Sequence, residues 1–285
     1  WGHPAFRPAY REIGAVLDTL PERPVVAALT ATAPKEYLKE ICTSLHMRNV
    51  RVHTMSLMRH NLRLLVSDCT RISIAKKLKR TKRWLAKYGA QGSVVIYCAT
   101  RSEVDLVFNE LKTDSAYFGQ VAKYHSGMTE KQRNTASRNF LTGKRRIVVA
   151  TSAFSMGIDQ GDIRLVLHFH LPFSPADYYQ QIGRAGRDGK TSHVVLLWDE
   201  KDIPINEKIL AGKARQRELQ QLPAYSEEHY LEEVQRTLDR LHALVGILHN
   251  PACVMQQLVA YLGENHPKTC GYCSHCQRNR KGDAR

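Results

Sequence analysis

The sequence lacks long apolar runs and has few acidic residues. No apolar run approaches the roughly 18 residues of a membrane span, and the first residues lack a signal-peptide pattern. Internal repeats and low-complexity tracts are also missing. We therefore expect a globular intracellular protein, in the cytoplasm or nucleoid of a bacterium or the nucleus of a eukaryote.

The charge of the chain is strongly positive. It has 42 Lys and Arg and only 27 Asp and Glu, which gives a formal net charge of +15. This balance indicates either a polyanionic partner or an ordinary basic surface.

The seven cysteines do not form a disulfide pattern, because their number is odd and the expected compartment is reducing. Three are scattered, and we expect Cys42, Cys69 and Cys98 to be small buried residues. The other four follow the spacing C-x16-C-x2-C-x2-C, and they are Cys253, Cys270, Cys273 and Cys276. Two overlapping C-x-x-C pairs place thiolates on a tight turn, and a fourth from a helix completes a tetrahedron for Zn²⁺.

The start of the helix that carries Cys253 is predicted from its neighbours. Asn250 and Pro251 fit the N-cap and first helical position, which puts Cys253 in the first turn, where the helix dipole favours a thiolate. Two histidines, His266 and His275, are alternative zinc ligands. We expect one zinc ion, held in a region whose core is separate from that of the rest of the chain.

The middle of the chain predicts an α/β domain with a parallel sheet. Short β-branched runs alternate with longer periodic segments. The predicted strands are 93–98, 120–124, 146–150, 164–169 and 193–198. Helix starts are indicated by Thr100 with Glu103, by Thr129 with Gln132, and by Ser174 with Pro175. The length of 285 residues fits about two domains.

The flanking segments are less regular. Residues 25–30 and 50–54 read as strands separated by a helix that opens at Pro34, although two strands alone make no stable sheet. Residues 70–89 form a basic helix, interpreted as a solvated face with nucleic-acid contact as the alternative. Helices follow over 205–262. The predicted domain limits are 1–66, 67–203 and 204–285.

The segment YYQQIGRAGRDG, residues 178–189, is the most informative motif. Arg184 and Arg187 lie three residues apart among glycines, so both guanidinium groups can face the same way. Arginine keeps its charge and its planar fork matches phosphate oxygens, while glycines allow close approach of a ligand. This pattern indicates a phosphate-binding element; a solvated Gly/Arg turn is the alternative.

Three further motifs follow predicted strands and therefore meet at the carboxyl edge of the sheet, where α/β proteins bind ligands. They are YCATR at 97–101, YHSGM at 124–128 and ATSAFSMGID at 150–159. Thr100 serves either as a helix cap or as a phosphate contact. His125 at a strand end is either structural or part of a binding site.

Together these motifs resemble those of superfamily 2 helicases of the RecQ family. Four further features resemble the same family: LTATA (29–33), WGHPAFRP (1–8), RHNLR (59–63) and the cysteine spacing with YLGE (261–264). The WGH loop carries one extra residue relative to the family pattern. The resemblance implies the second RecA-like helicase domain, part of the first, and a helical zinc-binding subdomain. It also implies that Arg187 is an arginine finger and that Arg184 is a second γ-phosphate contact. Nucleotide-binding roles are implied for Gly157, Asp159, Gln180 and Gly183. DNA-binding roles are implied for Trp1, His3, Phe6, Arg7, Arg59, Asn61, Thr100, Arg101, His125, Thr151, Ser152 and Met156.

A helicase also needs a P-loop and a magnesium-binding Asp-Glu pair, and the sequence contains neither. The resemblance thus implies a 3′ to 5′ DNA helicase of repair or recombination, acting on single strands and duplex junctions with ATP and Mg²⁺, that needs a preceding helicase half. We expect the chain to begin within a longer gene product and to be inactive alone. The alternatives are a non-catalytic DNA-binding fragment or homologue and an RNA helicase.

Overall fold

The computed structural model describes residues 9–30, 35–155, 160–220 and 227–282. Helices α1 and α2 come first, at Ala9–Thr19 and Lys35–Ser44. The strands are β1 Leu62–Asp68, β2 Ser93–Tyr97, β3 Val121–Tyr124, β4 Ile147–Ala150, β5 Ile163–His168 and β6 Ser192–Trp198. The helices among them are α3 Ile74–Tyr88, α4 Arg101–Lys112, α5 Glu130–Leu141 and α6 Pro175–Ile182. Helices α7 Asp202–Gln220, α8 Glu227–His249, α9 Val254–Tyr261 and α10 Ser274–Gly282 follow.

The six strands form one parallel sheet in the order β1-β6-β5-β2-β4-β3. Strands β2, β4 and β5 are buried along their whole length, since helices cover both faces of the sheet. Val94 and Ile96 of β2 belong to the core beneath α3 and α4. Val95 and Tyr97 belong to the opposite core, beneath α5, α6, α8 and α9. The predicted α/β fold and its five predicted strands, observed as β2 to β6, are confirmed.

Local capping starts the helices where the sequence predicts. Thr100 and Thr129 each form a capping box, in which the threonine hydroxyl accepts from the N3 amide and the N3 side chain accepts from the cap amide. Ser174 caps α6 by accepting from the Asp177 amide at 3.0 Å, and Pro175 occupies the first helical position. These caps fix the points at which the chain leaves the carboxyl edge of the sheet.

The two predicted N-terminal strands are wrong. Residues 25–30 and 50–54 run without strand pairing, and Val25 and Leu29 are 99% and 90% exposed. A strand needs a neighbour to satisfy its backbone groups, and the described part of the chain provides none for these segments. The β-branched composition alone therefore misled the prediction.

Strand β1 is a feature that the sequence prediction missed. It pairs with β6 from Leu62 opposite Ser192 to Asp68 opposite Trp198. The predicted domain boundary at residue 66 falls inside this strand, which belongs to the sheet of the following domain. The other domain limits stay a prediction.

The C-terminal helices pack directly on the sheet domain, so the expected separate core is wrong. Val254, Leu258 and Val259 of α9 share one buried cluster with Tyr178 and Ile182 of α6 and with inward residues of the sheet. Helix α6 lies between α9 and the sheet. Among the described helices, none is both long and apolar enough to cross a bilayer.

Candidate functional site

The carboxyl edge of the sheet brings together the ends of β2, β3 and β4, as predicted. Arg101 at the start of α4 donates from Nη2 to the Ser126 hydroxyl after β3, at 3.1 Å. The Thr151 amide after β4 donates to the Tyr124 carbonyl at 3.2 Å. Arg101 and Ser152 are exposed, and Thr100 and Thr151 are half-buried. The three loops therefore present hydroxyl groups and one guanidinium on a common surface.

Thr100 serves as the N-cap of α4, which is one of the two roles predicted for it. Its hydroxyl accepts from the Glu103 amide at 3.1 Å. Its contact with DNA stays a prediction. His125 is buried, and its ring nitrogens make no hydrogen bond among the described residues. Burial lowers the pKa of His125, although Asp105 lies 3.7 Å away. A neutral, enclosed imidazole favours the structural interpretation of this residue over a phosphate contact.

The arginine turn, residues 183–190, lies at the opposite end of the sheet, beside the first residues of β5 and β6. Gly186 donates its amide to the Ile163 carbonyl at 3.0 Å. Asp188 forms an ion pair with Arg164 of β5 and accepts from the Lys190 amide at 3.1 Å. Arg184 is half-buried and Arg187 is exposed. The hydrogen bond from Arg164 lowers the pKa of Asp188, so this carboxylate stays charged and keeps its hold on β5.

The remaining residues predicted to contact nucleotide or DNA fall into three groups. Gln180 is exposed on α6, and Gly183 is the C-cap of that helix. Trp1, His3, Phe6, Arg7, Met156, Gly157 and Asp159 lie outside the described residues. Arg59 and Asn61 were predicted to contact DNA, but their side chains lie against backbone carbonyls of the arginine turn. No local signal in the sequence indicates this, because more than a hundred residues separate the partners.

Sequence reasoning also missed a buried polar network below the carboxyl edge. His170 Nδ1 lies 2.8 Å from Glu103 and its Nε2 lies 2.9 Å from the Asn206 Oδ1. Asn206 donates its Nδ2 to the Leu171 carbonyl at 2.9 Å, so its Oδ1 must accept from His170. Lys77 of the basic helix α3 is also buried here, 3.6 Å from Asp202. The solvated-face interpretation of that helix therefore fails at Lys77.

This geometry requires both nitrogens of His170 to carry protons. Burial alone lowers the pKa of His170, but the hydrogen bond to Glu103 and the charge of Asp202 outweigh it and raise the pKa above its ordinary value. Glu103 is also the carboxylate of the Thr100 capping box, and its Oε2 accepts from the Thr100 amide at 3.4 Å and from the Ala99 amide at 2.9 Å. The charged histidine thus connects the carboxyl-edge loop before α4 to α7.

The raised pKa predicts how stability depends on pH. Because the folded-state pKa of His170 exceeds its unfolded value of about 6.5, its contribution is complete below that pH and is lost as pH rises through the folded pKa. We expect the free energy of unfolding to fall over this range in the wild type. His170→Gln should be less stable by about 2 kcal/mol or more below pH 6.5, and the difference should shrink at higher pH. Urea titrations of both proteins at several pH values measure this; a pH-independent difference would contradict it.

The four predicted cysteines form a single cluster. Their sulfur atoms all lie within 4.8 Å of one another, and all four residues are buried. The Cys273 and Cys276 sulfurs are 3.5 Å apart and those of Cys270 and Cys276 are 4.0 Å apart. A tetrahedral zinc site with Zn–S bonds of about 2.3 Å requires sulfur separations of about 3.8 Å. The donor set therefore fits Zn²⁺, and none of these cysteines forms a disulfide.

Backbone amides surround the cluster and favour thiolates. Amides donate to Cys253 from Cys270 at 3.2 Å, to Cys270 from Tyr272 at 3.4 Å, and to Cys273 from Cys276 at 3.4 Å. Gly271, with φ 73°, permits the tight turn between the first pair. Hydrogen bonds from the Cys253 and Cys270 thiols lower the pKa of Cys273, whereas hydrogen bonding to the neighbouring thiols raises the pKa of Cys270 and burial raises that of Cys276. The turn thus supplies charge stabilisation as well as ligands.

Two details of this region differ from the prediction. Cys253 is the N-cap of α9, not a residue of its first turn, and its sulfur accepts from the Gln256 amide at 3.5 Å. Asn250 instead ends α8: its amide donates to the Gly246 carbonyl, and its side chain accepts from Ala252 at 2.9 Å. Neither alternative ligand, His266 or His275, belongs to the cysteine cluster, and the rings of both lie against backbone carbonyls. The scattered Cys69 and Cys98 are buried as expected, and Cys42 is half-buried.

Comparisons with known proteins agree with this architecture. The family model of the helicase conserved C-terminal domain matches residues 76–189, and the model of the RecQ zinc-binding region matches residues 200–277. The structure of Saccharomyces cerevisiae Dbp5 bound to RNA and ADP BeF3 is similar in fold, with a TM-score of 0.55 and 19% identity over 79% of this chain and 58% of that one. The sheet domain therefore has the fold of helicase C-terminal domains.

Relatives define the family more closely. The ATP-dependent DNA helicase RecQ of Bacillus subtilis is 32% identical over 98% of this chain and 43% of its own length. The RecQ-like DNA helicase BLM of Xenopus laevis is 33% identical over 95% of this chain and 18% of its own length. The chain belongs to the RecQ helicase family, as the C-terminal part of the helicase core followed by the zinc-binding region. It spans less than half the length of these relatives.

Proposed function

We propose that this chain forms the second half of an ATP-dependent DNA helicase that moves 3′ to 5′ and acts in DNA repair or recombination. One observation carries the proposal: the arginine turn and the carboxyl-edge loops lie at opposite ends of one parallel sheet. A single packed sheet thus presents one cationic element for a nucleotide and another surface for DNA. Relatives named ATP-dependent DNA helicases support the reaction class.

The nucleotide side depends on Arg187 and Arg184. Arg187 is exposed on a turn that is tied to β5 through Gly186 and Asp188. In the proposed enzyme, its guanidinium neutralises the charge that develops on the transferred phosphoryl group, and Arg184 contacts the γ-phosphate. A preceding half supplies the P-loop, the magnesium ligands and the activated water. Closure of the two halves on ATP and their opening after hydrolysis would step the enzyme along one strand.

The zinc-binding region has a structural role in this proposal. The site is formed by four cysteines, which hold one Zn²⁺ and thereby cross-link the start of α9 to the turn before α10 and to the first turn of α10: Cys253, Cys270, Cys273 and Cys276. The bound ion supplies folding free energy and takes no part in hydrolysis. Because α9 packs on α6, the region also supports the helix that leads into the arginine turn.

A second candidate is a non-catalytic module that binds DNA and hydrolyses nothing. The net charge of +15 and the carboxyl-edge hydroxyls suit this role as well. The two candidates differ only in the fate of ATP once a P-loop half is present. A protein that joins both halves and binds DNA but never hydrolyses ATP would establish the second candidate.

DNA binding by the chain itself is the direct test of the carboxyl-edge surface. Arg101→Ala is expected to weaken binding of single-stranded DNA and to reduce the slope of log K against log salt by about 1, the loss of one phosphate contact. Arg138→Ala removes the same charge from an exposed position on α5 and is the matched control. Fluorescence anisotropy with labelled DNA and with RNA of the same sequence measures both. Equal effects of the two variants would contradict a specific role for Arg101.

A further inference from the structure

The segment 56–61, which leads into β1, contacts three parts of the molecule. At its start, the Ser56 hydroxyl donates to Glu264 at 2.7 Å and the Leu57 amide donates to the other oxygen of the same carboxylate. Glu264 follows α9 in the zinc-binding region. Tyr179 of α6 donates its hydroxyl to the Leu57 carbonyl at 2.5 Å. This end of the segment is therefore fixed to both α6 and the zinc-binding region.

The other end of the segment lies under the arginine turn. Arg59 donates from Nη2 to the carbonyls of Ala185 and Gly186, both at 3.1 Å. Asn61 donates from Nδ2 to the carbonyls of Gly186 and Lys190, at 2.8 and 3.0 Å. The two N–H groups of the Asn61 amide are thus both used within the protein. An asparagine in this state has no donor left for a DNA phosphate.

Gly186 shows how closely the segment fits the turn. Its φ is +56°, and a Cβ placed there would lie 2.5 Å from the Asn61 Nδ2 and 2.7 Å from the Lys190 carbonyl oxygen. Gly189 has φ +79°, but a Cβ there would meet nothing within 4 Å. Asn61 thus fills the concave side of the turn, and the missing side chain of Gly186 makes room for it. Arg187 lies between this fixed glycine and Asp188, which Arg164 holds.

We propose that Arg59 and Asn61 are positioning residues for the arginine turn, and that Glu264 of the zinc-binding region holds the segment that carries them. The proposal rests on the proposed function only in assigning nucleotide contact to Arg187. In this proposal Asn61 positions the arginine turn and does not contact DNA. The zinc-binding region therefore stabilises the arginine turn indirectly, through the segment 56–61. The cysteines themselves need not contact the nucleotide.

Hydrogen exchange of the 285-residue chain tests the contacts without requiring ATPase activity. Asn61→Ala should speed exchange within residues 183–190 by about fivefold, the effect of one or two lost hydrogen bonds. Met55→Ala, which changes a 91% exposed side chain next to the same segment, is the control and should leave that exchange unchanged. Unchanged exchange in Asn61→Ala would overturn the positioning role.

The paired glycine variants keep the proposal testable if Asn61→Ala does not fold. Both introduce a side chain at positive φ, but only Gly186→Ala displaces Asn61, so only this variant should loosen β1 at residues 61–63 as well as the turn. Equal exchange in Gly186→Ala and Gly189→Ala would contradict the close fit of Asn61 against Gly186.

Glu264→Ala tests the contact with the zinc-binding region. This variant should speed exchange in 56–61 and 183–190 while residues 253–276 stay protected. If residues 183–190 stayed protected in Glu264→Ala, the proposed role of Glu264 in holding the segment 56–61 would be wrong.

Turnover separates positioning from DNA contact. In a protein that joins this chain to a P-loop half, Asn61→Ala should lower kcat by roughly tenfold or more, because small displacements of a reacting group are costly. The KM for ATP and the DNA concentration that gives half-maximal stimulation should not change. A normal kcat with a higher DNA requirement would overturn the proposal in favour of DNA contact. A wild-type protein without turnover would reject the proposed function, while the exchange results would still decide the positioning role.

Discussion

Arg187→Ala is expected to lower ATP turnover by roughly a thousandfold in a protein that joins this chain to a P-loop half, which is the scale of a lost arginine finger. Arg187 is exposed at the end of the sheet, on a turn whose neighbours are held by Arg164, Arg59 and Asn61. In the proposed enzyme this guanidinium acts on charge that grows during phosphoryl transfer, so we expect its removal to affect kcat much more than ATP binding.

Steady-state ATPase assays with saturating DNA measure this effect, and fluorescent-nucleotide titration measures binding separately. Arg138→Ala, which removes the same charge from an exposed position on α5, should keep wild-type turnover. We expect the 285-residue chain alone to hydrolyse no ATP with or without DNA, because in the proposed enzyme a preceding half supplies the P-loop and the magnesium ligands. Wild-type turnover in Arg187→Ala would make Arg184 the candidate instead.

Short-range patterns predicted much of the fold. The capping boxes at Thr100 and Thr129 and the runs of β-branched residues act within a few positions, so they appear in the sequence itself. The same holds for the cysteine turn, because two overlapping C-x-x-C pairs impose their own geometry. Segments 25–30 and 50–54 have equally β-branched compositions, yet they remain unpaired in the described structure. Composition indicates that a segment can be a strand, but a partner decides whether it is one.

The long-range part of the site was beyond sequence reasoning. Arg59 and Asn61 look like free basic and polar residues next to a strand, and only the fold brings them to the arginine turn. His170 likewise reads as an ordinary strand-end histidine, although Glu103 and Asn206 come from distant helices to surround it. Both cases are polar side chains whose partners are main-chain groups or charges far away in sequence. Periodicity carries no information about such partners.

Loss of the metal is expected to be the largest change in stability. The chain should bind one zinc per molecule through Cys253, Cys270, Cys273 and Cys276 as thiolates, with an apparent folding contribution of about 10 kcal/mol or more. Chelation, or a single Cys→Ser change at any of the four, should unfold residues from about 250 onward. Metal analysis and circular dichroism measure these effects, and Cys42→Ser, outside the cluster, should retain the zinc.

The shared core extends this prediction to the sheet domain. Because α9 packs on α6, loss of zinc should also loosen α6 and the arginine turn that follows it. The opposite face of the sheet has its own core beneath α3 and α4, so the strands should remain protected there. Hydrogen exchange of the zinc-free protein should thus show fast exchange in 175–190 and 250–276 and slow exchange in β2 and β5. A well-folded protein without zinc, or one that binds it through Cys42, Cys69 or Cys98, would contradict the assignment of the metal site.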